Sequence, residues 1–130
     1  MKLLLDTHVL LWALRNDYRL PDNIKDLICD INNEVYISTA SLWEIALKHK
    51  KHPQLMGVSA EQIRNYSQRA GYIFLSINLD NIVMLEKLDF QGHQDPFDQI
   101  LISQSACNNM KLITHDEIIK RLNIGNIEYF

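Results

Sequence analysis

Basic charge is the first thing this chain is short of. Thirteen Lys and Arg stand against sixteen Asp and Glu, for a formal net charge of -3. That argues against a protein that simply coats nucleic acid, whose affinity would rest on clustered Lys and Arg. It does not exclude an enzyme acting on nucleic acid, because acids held around a metal carry charge that the metal neutralises. Cysteine is scarce too. Cys29 and Cys107 are the only two, both fall in helical patterns, and they form no metal-ligand spacing. Reduced thiols in a cytoplasmic protein are the reading that follows. No apolar run is long enough to span a membrane, and the N-terminal run is broken by Asp6, too early for a signal peptide. Repeats, low-complexity segments and interdomain linkers are also missing. What remains is ordinary globular composition, 130 residues with 47% hydrophobic and 22% charged, and it is read as one domain over 1–130.

What is present is an alternation of two periodicities. Leu3-Leu4-Leu5 runs straight into Asp6 and reads as a buried strand, with His8 to Leu14 as the following helix. Asp6 then stands at the carboxyl end of a strand. Further helices are expected from Leu20-Pro21-Asp22 to about Asn32, over 39–51, and from the capping-box pattern Ser59-Ala-Glu-Gln62 to Gly71. Others begin at Asn78, with Ile82, Val83, Leu85 and Leu88 as its apolar set, at Asp95-Pro96, and at Thr114. Strands are expected at 35–38, 72–75 and 112–113, with an edge strand near 127–130. Residues 15–19, 53–58 and 91–94 read as loops. Such alternation implies an α/β fold, a parallel sheet with helices on both faces. Right-handed crossovers place every strand's carboxyl end on one edge.

That geometry gives the acids a common address. Asp6 follows the first strand, Glu44 lies in the helix after the second, Asp95 and Asp98 open a later helix, and Asp116 follows the fourth strand. Unpaired carboxylates in one cleft repel one another and would protonate unless a cation neutralises them. Oxygen ligands without His or Cys point to Mg²⁺ or Mn²⁺, which suit phosphate chemistry. Each acid also has a structural reading. Asp6 and Asp95 are natural helix N-caps, and Asp98 sits where a helix dipole favours negative charge. Ser41-x-x-Glu44 and Thr114-x-x-Glu117 are capping-box patterns, and Lys48 stands four residues after Glu44. Capping accounts for acids at helix starts, but not for their arrival on one edge in four separate segments.

The stretches Leu4-Leu-Asp-Thr-His-Val-Leu-Leu-Trp12, Tyr36-Ile-Ser-Thr-Ala-Ser-Leu-Trp-Glu-Ile-Ala46, Asp95-Pro-Phe-Asp-Gln-Ile-Leu-Ile-Ser103 and Leu112-Ile-Thr-His-Asp116 together resemble the PIN-domain nucleases, specifically the VapC-type toxins of toxin–antitoxin pairs. They occur in family order over nearly the whole chain. The resemblance implies a three-layer sandwich around a parallel sheet of about five strands. It implies an acidic quartet of Asp6, Glu44, Asp98 and Asp116 around Mg²⁺ or Mn²⁺, with Asp95 an accessory acid and Thr7 and Thr114 polar residues of the pocket. Gln99 stands where related toxins often carry Arg, and Ser103 where Ala is usual. The loop over 50–58 lacks a Gly-rich turn common in similar sequences.

Residues and resemblance together imply metal-assisted hydrolysis of an RNA phosphodiester. Asp6 and Asp98 are the expected direct metal ligands, with Glu44 and Asp116 holding water, completing a second site or orienting the nucleophile. RNA, a cognate antitoxin and a second copy of the chain are the implied partners. Lys48-His-Lys-Lys-His52 reads as a phosphate-contacting patch or, more commonly for such a run, as a helix end complementing its dipole. Trp12 and Trp43 read as core or dimer-interface residues. His8, His93 and His115 are assigned no role. A phosphatase of the haloacid dehalogenase type would need a second Asp where His8 stands, and a receiver would need a further acid near its first strand and a late Lys. A non-catalytic module, its acids serving only as caps, is the remaining alternative.

Overall fold

Residues 1–130 are all described by the computed structural model. Strand β1 (Lys2–Leu5) leads into α1 (Thr7–Arg15), α2 (Asp22–Cys29), β2 (Glu34–Ser38), α3 (Thr39–Lys51), α4 (Pro53–Met56), α5 (Ala60–Arg69) and β3 (Ile73–Leu75). Then come α6 (Leu79–Lys87), α7 (Pro96–Asn108), β4 (Lys111–Thr114), α8 (Glu117–Leu122) and β5 (Ile127–Tyr129). The strands form one sheet in the order β3-β2-β1-β4-β5, with every neighbouring pair parallel. This is the five-stranded parallel sheet between helical layers that the sequence predicts.

The central position of β1 follows from its composition. Leu3, Leu4 and Leu5 are all completely buried, as a strand covered by helices on both faces requires. Side chains alternate along a strand, so the run divides between two cores. Leu3 and Leu5 pack with Val9 and Leu10 of α1, Ile24 of α2, Ile45 of α3 and Ile63 of α5. Leu4 turns to the other face, with Leu112 of β4, Leu101 and Ile102 of α7, and Ile119 and Leu122 of α8. Burying each leucine contributes on the order of 2 kcal/mol, which makes this strand costly to shift in register. Its neighbours β2 and β4 lie on opposite sides. Asp6 therefore emerges at the switch point of the sheet, where open α/β folds form a crevice.

Three expectations change in the folded chain. Helix α2 stops at Cys29 rather than Asn32, because Asp30 takes an extended conformation and its side chain accepts a hydrogen bond from the Asn32 N–H. Ile31, expected on the helix face, is left almost fully exposed in that turn. The expected loop after α3 contains the short helix α4, opened by Pro53 and closed by Gly57 at a φ of 77°, a left-handed conformation that glycine adopts freely. In α6 the buried residue is Asn81, while Ile82 and Val83 face outward. Asn78 and Asn81 cap the helix reciprocally. Ser103, in place of the usual small Ala, donates to the Asn81 carbonyl at 2.6 Å and ties α7 to α6. That bond holds Asn81, the one buried residue of α6, against α7. No helix is long and apolar enough to cross a membrane.

Candidate active site

Asp6 is both a cap and something more. It is the N-cap of α1, and its Oδ1 accepts from the Val9 N–H at 2.9 Å. Its Oδ2 accepts from the Thr114 hydroxyl at the end of β4, 108 residues away in sequence. The carboxylate is only 7% exposed. Burial pushes its pKa up, against the hydrogen bonds from Thr114 and Val9 and the proximity of His8, while the charge of Asp116 adds to the rise.

Asp116 is the N-cap of α8, so the capping box expected at Thr114-x-x-Glu117 does not form. Thr114 is the last residue of β4, and its hydroxyl is committed elsewhere, donating to Asp6 and accepting from the Asp116 N–H at 3.1 Å. Asp116 spends only Oδ1 on the cap, accepting from the N–H groups of Ile118 and Ile119. Its other oxygen has no protein partner.

Asp95 caps α7 through the N–H groups of Phe97 and Asp98, as expected, with Pro96 as the first helical residue. Asp98 follows in the first turn, and its Oδ2 meets His93 Nε2 at 2.9 Å. Gln99, the residue in the place of the usual Arg, donates through Nε2 to the His93 carbonyl at 2.8 Å and holds the preceding loop against the helix. The Asp98 carboxyl is pushed up to about 6. Burial is the largest cause, the hydrogen bond to His93 opposes it, and the charges of Asp95 and Asp116 add to it.

Glu44 is not a cap at all. Ser38 caps α3, and Ser41 is fully buried inside its first turn. Glu44 Oε1 instead accepts from the Thr7 hydroxyl at 2.6 Å, and Oε2 pairs with Lys48 at 2.7 Å. Thr7 also lies 3.0 Å from the Ser41 hydroxyl. A hydroxyl has one proton, so Thr7 gives its own to Glu44 and accepts from Ser41. The residue next to Asp6 thereby tethers α3 to the acidic edge.

The expected acids are thus gathered to different degrees. Asp116 lies close enough for its charge to act on both Asp6 and Asp98, and Asp95 does the same for Asp98, whereas Glu44 joins them through Thr7. No three His, Cys, Asp or Glu side chains converge tightly enough to form a finished cation cage. The donor set nevertheless suits a hard divalent cation: carboxylate oxygens, raised pKa values, and one oxygen each of Asp98 and Asp116 that makes no hydrogen bond in the protein. The basic stretch of α3 is its last turn, with Lys48 bound to Glu44, which fits a dipole-complementing helix end.

Aromatic rings border this edge on both sides. Trp43, just before Glu44, is 56% exposed and meets Phe97, just before Asp98, edge to face at 5.0 Å. Trp12 is half-buried against the first core, stacks on His8 and meets His115 and Phe130 edge to face. It is a core residue at one end of its ring system only.

The raised carboxyls have a consequence for stability. A proton held more tightly by the folded than the unfolded chain stabilises the fold below the unfolded pKa, about 4, and that contribution is lost as pH rises through the folded value. For Asp98 the loss begins near pH 4 and is largely complete once pH passes about 6. In chelator, Asp98→Asn is therefore expected to gain Tm over wild type as pH is raised from about 4 to about 7. Thermal melts of both proteins across that range check it. A constant difference would place Asp98 in solvent.

The parallel sheet, with Asp6 buried at its switch point and further acids beside it, defines an α/β protein whose candidate site is the crevice at the strand ends. The family model described as PIN domain matches residues 3–125, and the chain belongs to that family. Among solved structures it is similar to VapBC2 from Rickettsia felis bound to a DNA fragment from their promoter, with 18% identity and a TM-score of 0.72. It is also similar to DNA-bound VapBC from Salmonella typhimurium, with 15% identity and a TM-score of 0.70. VapBC-1 from nontypeable Haemophilus influenzae gives 19% identity and a TM-score of 0.71. Each comparison covers 99% of this chain and 98% of the other. At such identities the likeness shows the fold. A search of curated proteins finds no match.

Proposed function

We propose that this chain, as one PIN domain, is a metal-dependent endoribonuclease and the VapC-type toxin of a toxin–antitoxin pair, working in the cytoplasm. The observation that carries the reading is the buried Asp6 carboxylate, bonded by Thr114 and sharing its edge with Asp98 and Asp116. Capping alone leaves Thr114, and the rise in both pKa values, without a purpose.

Asp6 and Asp98 would hold Mg²⁺ or Mn²⁺. That cation would supply positive charge to a phosphate oxygen and make a water more acidic. Thr114 fixes the rotamer of Asp6, and His93 does the same for Asp98. Asp116 keeps one oxygen unpaired to hold or deprotonate the attacking water. Glu44, clamped by Thr7 and Lys48, contributes negative charge and orientation rather than a free ligand oxygen. The similar structures are VapBC assemblies, which supports a cognate antitoxin as partner. An antitoxin Arg reaching these carboxylates would compete with the cation through charge-assisted hydrogen bonds. A homodimer is the expected assembly.

Purified protein is expected to cut RNA in Mn²⁺ and not in chelator, and induced expression is expected to slow growth until the neighbouring small gene is co-expressed. Sequencing the ends of RNA from induced cells checks the cleavage. Intact RNA under every condition would overturn the nuclease reading.

A further inference from the structure

A surface hollow of about 470 Å³ opens where α8 and β5 meet, lined by Lys120, Asn123, Gly125, Asn126, Ile127 and Tyr129. Its volume falls within the ~300–1,000 Å³ typical of small-ligand clefts. Its position relative to the acids is set by the sheet. Tyr129 is paired in register with Thr114, the residue that bonds Asp6, so the Tyr129 end of the hollow stands one strand over from the site, about 4.8 Å between backbones, while Asn123, Gly125 and Asn126 line it toward the amino end of β5. From Tyr129 a line of rings runs back along the same edge. His115, directly before Asp116, lies nearly parallel to Tyr129 with centroids 5.8 Å apart, and Trp12 meets His115 at 5.6 Å. Lys120 sits over the Tyr129 ring at 4.4 Å and enters no ion pair.

We propose that this hollow is a subsite for the single-stranded RNA next to the scissile phosphate, with a base stacking on Tyr129 and the backbone phosphate meeting Lys120. The inference rests on the ribonuclease reading given above. Two features favour RNA over a protein segment. The lining is mainly polar, and the Asn123 and Asn126 amides can both donate to and accept from base edges. Lys120 is exposed and flexible. A base can displace it from the ring while its ammonium turns to phosphate, exchanging a weak exposed cation–π contact for a stronger base stack.

The test uses the full chain and a single-stranded RNA decamer of mixed sequence. Binding is measured by fluorescence anisotropy in chelator, and cleavage is measured in Mn²⁺. Tyr129→Ala is expected to weaken binding about tenfold or more and to raise KM with kcat little changed, whereas Tyr129→Phe keeps both. Lys120→Ala, a surface change that leaves the strand intact, is expected to weaken binding and to reduce its salt dependence by about one phosphate contact. Asp98→Asn should instead lose kcat. Wild-type binding and KM in both Tyr129→Ala and Lys120→Ala would overturn the subsite while leaving the nuclease reading standing. Absence of cleavage by the wild-type protein would overturn the nuclease reading itself. A Tyr129→Ala protein that handles RNA normally but loses its co-expressed protein partner would assign the hollow to that partner and overturn the proposal.

Discussion

Asp6→Asn combined with Asp98→Asn is expected to abolish both RNA cleavage and the rise in Tm that Mn²⁺ gives the wild-type protein. At a hundred times its Kd, a cation that binds only the folded state adds about 2.7 kcal/mol. On a domain of this length that is roughly 10 °C in Tm. The double variant should melt at the same temperature with and without Mn²⁺, and its cleavage rate should fall by ~10³-fold or more. It should still fold. An amide oxygen can accept from the Val9 N–H as Asp6 Oδ1 does, and an amide can partner His93 in place of the Asp98 carboxylate. In chelator the variant should be at least as stable as wild type near neutral pH, because two carboxyls whose pKa values are raised by burial have been removed. An undiminished Mn²⁺ response would locate the cation at other residues.

Glu44→Gln is expected to separate catalysis from stability. Its ion pair with Lys48 is an i,i+4 contact in which Lys48 is 53% exposed, so its loss costs only about 0.5 kcal/mol. Gln can still accept from Thr7, so the tether between α1 and α3 survives. What disappears is a negative charge at the acidic edge, and the rate of Mn²⁺-dependent cleavage should drop roughly a hundredfold or more with little change in Tm. Thr7→Val should reproduce part of that loss, because it breaks the link while leaving the charge in place. Paired thermal melts and initial rates check the separation. A Glu44→Gln protein that cleaves at the wild-type rate would shrink the site to Asp6, Asp98 and Asp116.

The three capping-box patterns show where sequence reasoning stops. Ser59-x-x-Gln62 forms its box as expected, and it does so in an exposed helix start with no competing partner. Ser41-x-x-Glu44 and Thr114-x-x-Glu117 have the same spacing but do not. Ser41 lies one turn too deep, because β2 passes directly into α3 at Ser38, and Thr114 is drawn to a carboxylate across the sheet. Spacing identifies groups that are able to bond. Which bond forms depends on what the other strands bring alongside. His93 is the residue this limit concealed. A histidine in a polar loop carries no periodic signal, and its ring meets Asp98 where Gln99 ties that loop to α7.

The sequence by itself determined the strand–helix alternation, the centrality of Leu3-Leu4-Leu5 and the delivery of Asp6, Asp98 and Asp116 to one edge. Those features follow from period-two and helical patterns, from turn residues and from the handedness of crossovers, all of which act over a few residues or by general rule. Only the tertiary structure decided how the carboxylates spend their oxygens: Asp6 between Val9 and Thr114, Asp98 on His93, and Glu44 between Thr7 and Lys48. Most of these are directional bonds less than about 3 Å long, and two of them join residues 37 and 108 positions apart. Side chains that far apart in the chain meet in one geometry only after the packing of both cores has set the helices against the sheet.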